Sequence, residues 1–248
     1  MMGASHAISG AAVFLAVTSP SPGIGVLSAD PLERIAGAIV CAGAALLPDA
    51  DHPNATISYS VPGGSLVTGT IGAATGGHRK GLHSLLAVAA VIAGSVLLSR
   101  FTFTPEGAAF AIPVGSGIMA ACCVAFAAKV LTLARSWFIA WVVGLGIAAA
   151  MTWFFPSIGT WLLAAISIGY AVHLVGDFIT AGGVPWLWPW MPMPPRAVRD
   201  NPVWSLVWRP GGAFAFPVLG KTGSWREQLL AFALAGYAVW AAVASFIG

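Results

Sequence analysis

SWFIAWVVGLGIAAAMTWFF, residues 136–155, runs for twenty positions without one charged side chain. A hydrocarbon core of about 30 Å is crossed by about 20 helical residues rising 1.5 Å each. This run is therefore long enough to span a bilayer. Apolar runs at roughly 4–17, 31–48, 81–99, 107–128, 158–180 and 225–247 accompany it. Of the 248 residues 58% are hydrophobic and 8% charged, whereas a soluble domain carries about a quarter charged residues. The sequence predicts an all-α fold, a polytopic membrane bundle of about seven apolar helices.

The first two runs are short for a full crossing and read as oblique spans or as a re-entrant hairpin packed on the others. No polar linker divides the chain, so residues 1–248 read as a single integral-membrane domain. Within it the Gly- and Ser-rich stretch 53–77 reads as a loop, and residues 181–224, rich in Pro and Trp, as an interfacial loop. No Lys or Arg precedes the first apolar run, so residues 1–17 read as mature protein rather than a secretory signal. Cys41, Cys122 and Cys123 sit inside apolar runs without metal-binding spacing and read as small buried side chains.

If all seven runs cross, the connections fall into two sets. One set carries nine cations: Arg79, Lys80, Lys129, Arg135, Arg196, Arg199, Arg209, Lys221 and Arg226. The other carries two, Arg34 and Arg100. An excess of Lys and Arg marks the cytoplasmic side. The expectation is a protein integral to the cytoplasmic (inner) membrane, with its N-terminus in the cytoplasm and its C-terminus outside.

The same parity gathers all five histidines, with Asp49, Asp51, Asp177 and Asp200, at or near the cytoplasmic ends. Four stretches carry the cluster: ASHAISG with His6, LLPDADHP with Asp49, Asp51 and His52, GGHRKGLHS with His78 and His83, and YAVHLVGDFITAGG with His173 and Asp177. His173 and Asp177 are four apart and share a helix face, with side-chain roots ~6 Å apart. Ionisable groups inside a span cost about 2.5–3.5 kcal/mol or more when unpaired, which makes them functional candidates. Imidazole and carboxylate suit Zn²⁺, Mn²⁺ or Fe²⁺ without a thiolate. Six to eight candidate ligands exceed what one tetrahedral ion takes, so one or two ions are expected, and paired ions are common in phosphoester hydrolysis. Each piece also has a plain alternative: His6 as an interfacial or capping group, Asp49 and Asp51 as loop carboxylates, Arg79 and Lys80 as juxtamembrane charges, His173 and Asp177 as a satisfied structural pair.

The order His6, PDADH, HRKGLHS, then HLVGDFITAGG ahead of LWP resembles the YdjM-like family of predicted membrane-bound metal-dependent hydrolases. The likeness spans residues 6–189. The family pattern is approximately an early His, P-D-x-D-H, H-R-G-x-T-H-S and a late S-H-x-x-x-D. Here Lys80 replaces the usual Gly or adds one residue, Leu82 stands for Thr and Val172 for Ser. A partial likeness to the zinc-dependent phospholipase C and single-strand nuclease group is an analogy at the level of fold.

Carried over by position, the resemblance implies His6, Asp49, His78, His83, His173 and Asp177 as metal ligands, with Asp51 and His52 as ligands or groups supporting them. A metal-bound water with a pKa near ~7 is the expected nucleophile. Asp51 is the first choice to accept its proton, and Arg79 and Lys80 fit as phosphate binders. Trp186, Trp188, Trp190, Trp204 and Trp208 have the composition of a membrane-interface belt. The expected partners are the lipid bilayer and a lipid or lipid-linked phosphoester substrate, with no nucleic acid, and the oligomeric state stays open. The alternatives are a metal-ion transporter or metal-binding membrane protein, and a metal-dependent amidase.

Overall fold

The structure is a computed structural model and describes residues 1–52, 54–107, 110–155 and 158–247. Ten helices appear among these residues: α1 (Gly3–Thr18), α2 (Pro31–Ala44), α3 (Gly64–Ala74), α4 (Leu85–Ser99), α5 (Val114–Val130), α6 (Trp137–Phe154), α7 (Ile158–Phe178), the single turns α8 (Arg196–Arg199) and α9 (Trp204–Val207), and α10 (Trp225–Ile247). Short 3-10 turns and isolated β-bridges accompany them. The seven long apolar helices form the bundle expected from the hydropathy pattern. Four candidate spans, Pro31–Asp51, Trp137–Phe154, Ile158–Phe178 and Trp225–Ile247, are long and apolar enough to cross a membrane.

Several starts are written locally. At α2 the side chain of Asp30 accepts from the Glu33 N–H while Glu33 accepts from the Asp30 N–H, and Pro31 fills the first turn, where its missing N–H costs nothing. Ser84 and Ser136 cap α4 and α6 by accepting from the backbone three residues on. The run expected over 107–128 becomes helical only at Val114, because Pro113 flanks its first turn and Phe103 pairs with Ile112 just before it; its residues 108–109 lie outside the described residues. The stretch 53–77 is not all loop. Its middle forms α3, entered from Gly63 and left before Gly76, both with positive φ. Seven of α3's neighbours in sequence are Gly, Ser or Thr, which hid the helix, and its Leu66 and Val67 remain exposed.

α2 lies at the centre, against α1, α5 and α7, while α10 backs α1, α6 backs α5 and α4 backs α7. Its inward residues are small: Ala36, Gly37, Ala38, Cys41, Ala42, Gly43 and Ala44 are all buried. Small residues allow the close approach on which helix association in lipid depends. Large apolar side chains point outward from the flanking helices instead, among them Phe138, Leu145 and Trp153 on α6 and Phe232, Val239 and Ile247 on α10. The α1–α2 connection reaches the far end of α10, where Pro20, Pro22 and Arg34 share a hollow with Trp240 and Ile247. The hairpin therefore runs the length of the bundle and back.

Along α2 the backbones come close at Gly43, where an added Cβ would overlap the Cys123 carbonyl of α5. Gly43→Ala is expected to destabilise by about 1–3 kcal/mol through overpacking. Gly94→Ala, with nothing within 4 Å of the new methyl, serves as the control. Thermal unfolding in detergent checks the pair; equal melting points would contradict this packing.

Candidate metal centre

α2 ends at Ala44, and Pro48 helps convert the following residues into a 3-10 turn, Leu47–Asp51. This turn brings two carboxylates over the open end of the α1–α2–α7 layer. A second 3-10 turn, Gly81–His83, delivers His83 just before the Ser84 cap. It is held by the Tyr170 hydroxyl, which donates to the Leu82 carbonyl at 2.6 Å, and by the Leu85 N–H, which donates to the Trp186 carbonyl at 3.0 Å. α1 contributes His6, and α7 contributes His173 and Asp177 on one face. His6, Asp51, His83, His173 and Asp177 are all buried.

At the centre, His173 Nε2 and His83 Nε2 face each other at 3.2 Å. His173 Nδ1 lies 2.7 Å from the Ala45 carbonyl, which only accepts, so Nδ1 carries the proton and Nε2 presents a lone pair. His83 Nδ1 faces Asp51 Oδ2 at 3.3 Å, which favours the same tautomer there. Two lone pairs then point at one another in a buried site. Asp49 Oδ1 lies 3.7 Å from His173 Nε2 and 3.9 Å from His83 Nε2, and Asp177 Oδ2 lies 3.8 and 3.6 Å from the same two atoms. Ligand bonds of about 2.0–2.2 Å set tetrahedral edges at about 3.3–3.6 Å. The two facing Nε2 atoms with Asp49 and Asp177 thus offer a divalent cation two lone pairs and two carboxylates, at separations of 3.2–3.9 Å that are mostly wider than those edges. Three overlapping trios could hold an ion: His6, His173 and Asp177; Asp49, His83 and His173; Asp51, His78 and His83. A neutral imidazole offers one lone pair, so His173 and His83 cannot each serve two of these trios at once.

Around this centre the other residues separate by role. His6 stacks on His173, with ring centroids 3.7 Å apart, and its Nε2 lies 3.3 Å from Asp177 Oδ1. Asp177 Oδ1 also accepts from the Met1 amino group and, at 2.8 Å, from Arg79 Nη2. Arg79 sits at φ 57°, a region non-glycine residues enter only when the surroundings hold them there. Asp51 Oδ1 meets His78 Nδ1 at 2.9 Å, so Asp51 ties His78 to His83. His52 lies outside the trios: its ring packs edge-on against His78 and its Nδ1 accepts from the Asn54 N–H at 3.0 Å. Lys80 is exposed.

A cavity of about 750 Å³ opens beside the cluster, bordered by Asp49, His52, His78 and Arg79 on one side and by Leu46, Ile57 and Val130 on the other. Lys129 lines it too, a cation that the motifs did not point to. Two further contributors were invisible in the sequence. The Ala45 carbonyl fixes the His173 tautomer, and Gly182 leaves space that an added Cβ would take from the Arg79 guanidinium. Asp51→Asn is expected to weaken metal binding about 10–100-fold, the usual cost of losing a ligand's carboxylate support. Titration with zinc against a competing chelator measures it; unchanged affinity would contradict the supporting role.

The model of the YdjM inner membrane protein family matches residues 1–247. The chain belongs to that family. The family likeness and the apolar helices together make it a membrane protein. No curated protein and no solved structure matches it.

Proposed function

We propose that this YdjM-family protein is a membrane-embedded metal-dependent hydrolase that cleaves a phosphoester of a lipid or lipid-linked substrate. The observation that carries the reading is the pair of imidazole Nε2 atoms converging at 3.2 Å between two carboxylates, beside a cavity that holds an imidazole and a guanidinium. Asp49, His83 and His173 would hold one divalent ion and leave it room for a water, with Asp177 Oδ2 within 3.8 Å of both imidazoles to support them. Two imidazoles and a carboxylate suit zinc best, with manganese or iron as the other candidates. When bound, the ion supplies Lewis acidity and a water ionised near neutral pH.

The chain's own residues account for the remaining work. His78 keeps one ring nitrogen on Asp51 and is part-exposed at the cavity. A histidine oriented by a carboxylate is an effective general base, so His78 takes the proton of the attacking water and Asp51, placed behind it, orients it. This moves the proton acceptor from Asp51, the sequence's first choice, to its neighbour in space. Arg79 donates to the phosphoryl oxygens as charge builds on them; the water oxygen bonds to phosphorus, the bond to the leaving oxygen breaks, and that oxygen takes the proton from His78.

Positive-inside bias orients the site end toward the cytoplasm, since the loops there carry nine of the eleven cations. Against a transport role, the buried ionisable groups among the described residues, including Glu227 at the start of α10, lie toward this one end, leaving no polar path through the bundle.

Zinc-loaded protein is expected to release phosphate or alcohol from a phosphatidic acid, an aryl phosphomonoester or an aryl phosphodiester, to stop with EDTA and to recover with added zinc. Failure on all three classes would contradict the hydrolase reading.

A further inference from the structure

Away from the site, an apolar hollow of about 380 Å³ lies between α6 and α10, floored by α1, α2 and α5. Ala11, Ala38, Ala42 and Ala127 form part of its floor, with Val143 and Val239 on its rims. A second hollow of about 510 Å³ shares Ile35, Ile39, Ile147 and Ala242 with it and continues to Phe154 and Phe246 at the far end of the bundle. Together they make one furrow along the membrane-facing side.

The furrow starts where the site cavity stops. Val130 lines the cavity and Leu131 lines the furrow. Leu46 and Ile57 on the cavity side belong to one apolar cluster with Ala42, Ala127 and Ala11 on the furrow side. The buried residues between the two spaces include Ala7, Ala42 and Ala127, whose side chains are single methyl groups. A polar chamber bordered by Asp49, His78, Arg79 and Lys129 thus lies against a hydrocarbon-lined trough, with a layer of packed apolar side chains between them.

We propose that the furrow seats one hydrocarbon chain of an amphiphile whose anionic head occupies the cavity beside Asp49. The inference rests on the proposed activity and deepens it by placing the substrate's tail. Volume separates a lipid chain from a second helix as occupant. A helix about 10 Å wide fills about 420 Å³ per turn. The hollow follows α2 from Ile35 to Ala42, about 10 Å at 1.5 Å per residue, which is nearly two turns. Its 380 Å³ is less than half of what two turns fill, so a helix would lie on the hollow while a hydrocarbon chain lies in it. Val130 and Thr132 border the cavity while Leu131 and Leu133 border the furrow, so a head group held in the site has the mouth of the furrow beside it.

The test uses phosphatidic acid carrying a diazirine on one acyl tail, at stoichiometric amounts with the zinc-loaded full chain in detergent, and maps the adducts after irradiation. Adducts are expected to concentrate on Ile35, Ile39, Ile147 and the Ala238–Ala242 turn. A diacylglycerol with the same labelled tail is expected to give several-fold less. Ala238→Trp, which fills the furrow, is expected to cut this labelling about tenfold, while Gly236→Trp, where the added side chain meets open space, leaves it intact. Adducts spread evenly over outward positions such as Phe138 and Phe232, or labelling unchanged by Ala238→Trp, would overturn the proposal. So would crosslinks between copies through the furrow. Because labelling needs no turnover, the two readings fail separately. Furrow labelling without hydrolysis contradicts the activity alone, and hydrolysis with dispersed labelling contradicts the furrow alone.

Discussion

Arg79→Gln is expected to lower phosphoester turnover by about 10²–10³-fold at saturating zinc, the usual loss when one donor to developing charge is removed. The reason lies in where its guanidinium is held. The backbone at φ 57° turns Arg79 inward, Asp177 Oδ1 fixes Nη2 at 2.8 Å, and the side chain borders the cavity. Lys80, the next residue, is exposed, so Lys80→Ala should change turnover less than about threefold, as surface cations are screened by solvent. Gly182→Val should copy Arg79→Gln, because its side chain would occupy the guanidinium's place. Steady-state rates on an aryl phosphate for the three variants decide the matter. Equal losses at Arg79 and Lys80 would remove Arg79 from the site.

His83→Ala should be more damaging still, with turnover falling by at least about 10³-fold and not recovering at high zinc. It deletes one of the two facing Nε2 atoms and leaves the buried Asp51 carboxylate with His78 as its one imidazole partner. His6→Ala is the informative comparison. Its ring stacks on His173 and reaches Asp177 Oδ1 at 3.3 Å, without facing the central pair. A loss of about 10–100-fold, partly rescued by excess metal, is expected of such a supporting group. Equal and unrescued losses at His6 and His83 would mean that the ion sits among His6, His173 and Asp177 instead.

The bundle was legible because a membrane span leaves a crude signature: length and the absence of charge. The 136–155 and 225–247 runs needed no knowledge of partners, and α6 and α10 follow them to within about two residues. α3 escaped because its eleven residues are too few to span and its glycines resemble a turn. What holds α3 is docking on the 3-10 turn Leu47–Asp51 and on another at Thr56–Tyr59, a tertiary contact that no local pattern encodes. Similarly, Pro113 moved the start of α5 well inside the apolar run.

The site was legible for a different reason. Carboxylates and imidazoles are so rare in this chain that PDADH, HRKGLHS and HLVGD stand out, and helix parity alone gathers them at one end. Their division of labour was not legible. Asp49 and Asp51 are two residues apart, yet one faces the two Nε2 atoms and the other clasps His78 and His83. That outcome depends on the twist of one 3-10 turn against another. Arg79 and Lys80 part ways for the same kind of reason, through a single positive φ and the space beside Gly182. The Trp-rich loop folds back over the end of α7, with the Phe216 and Leu219 N–H groups donating to Phe178 and Ile179. Trp190 and Trp204 stay exposed, as residues of an interfacial belt would be.

The decisive measurement is elemental analysis of the detergent-purified protein, wild type beside His173→Ala and Asp177→Ala. One equivalent of zinc, manganese or iron in the wild type, lost in both variants, is the predicted result. Wild-type protein free of metal, and unable to bind added zinc at micromolar concentration, would contradict it and reduce the cluster to a structural polar network.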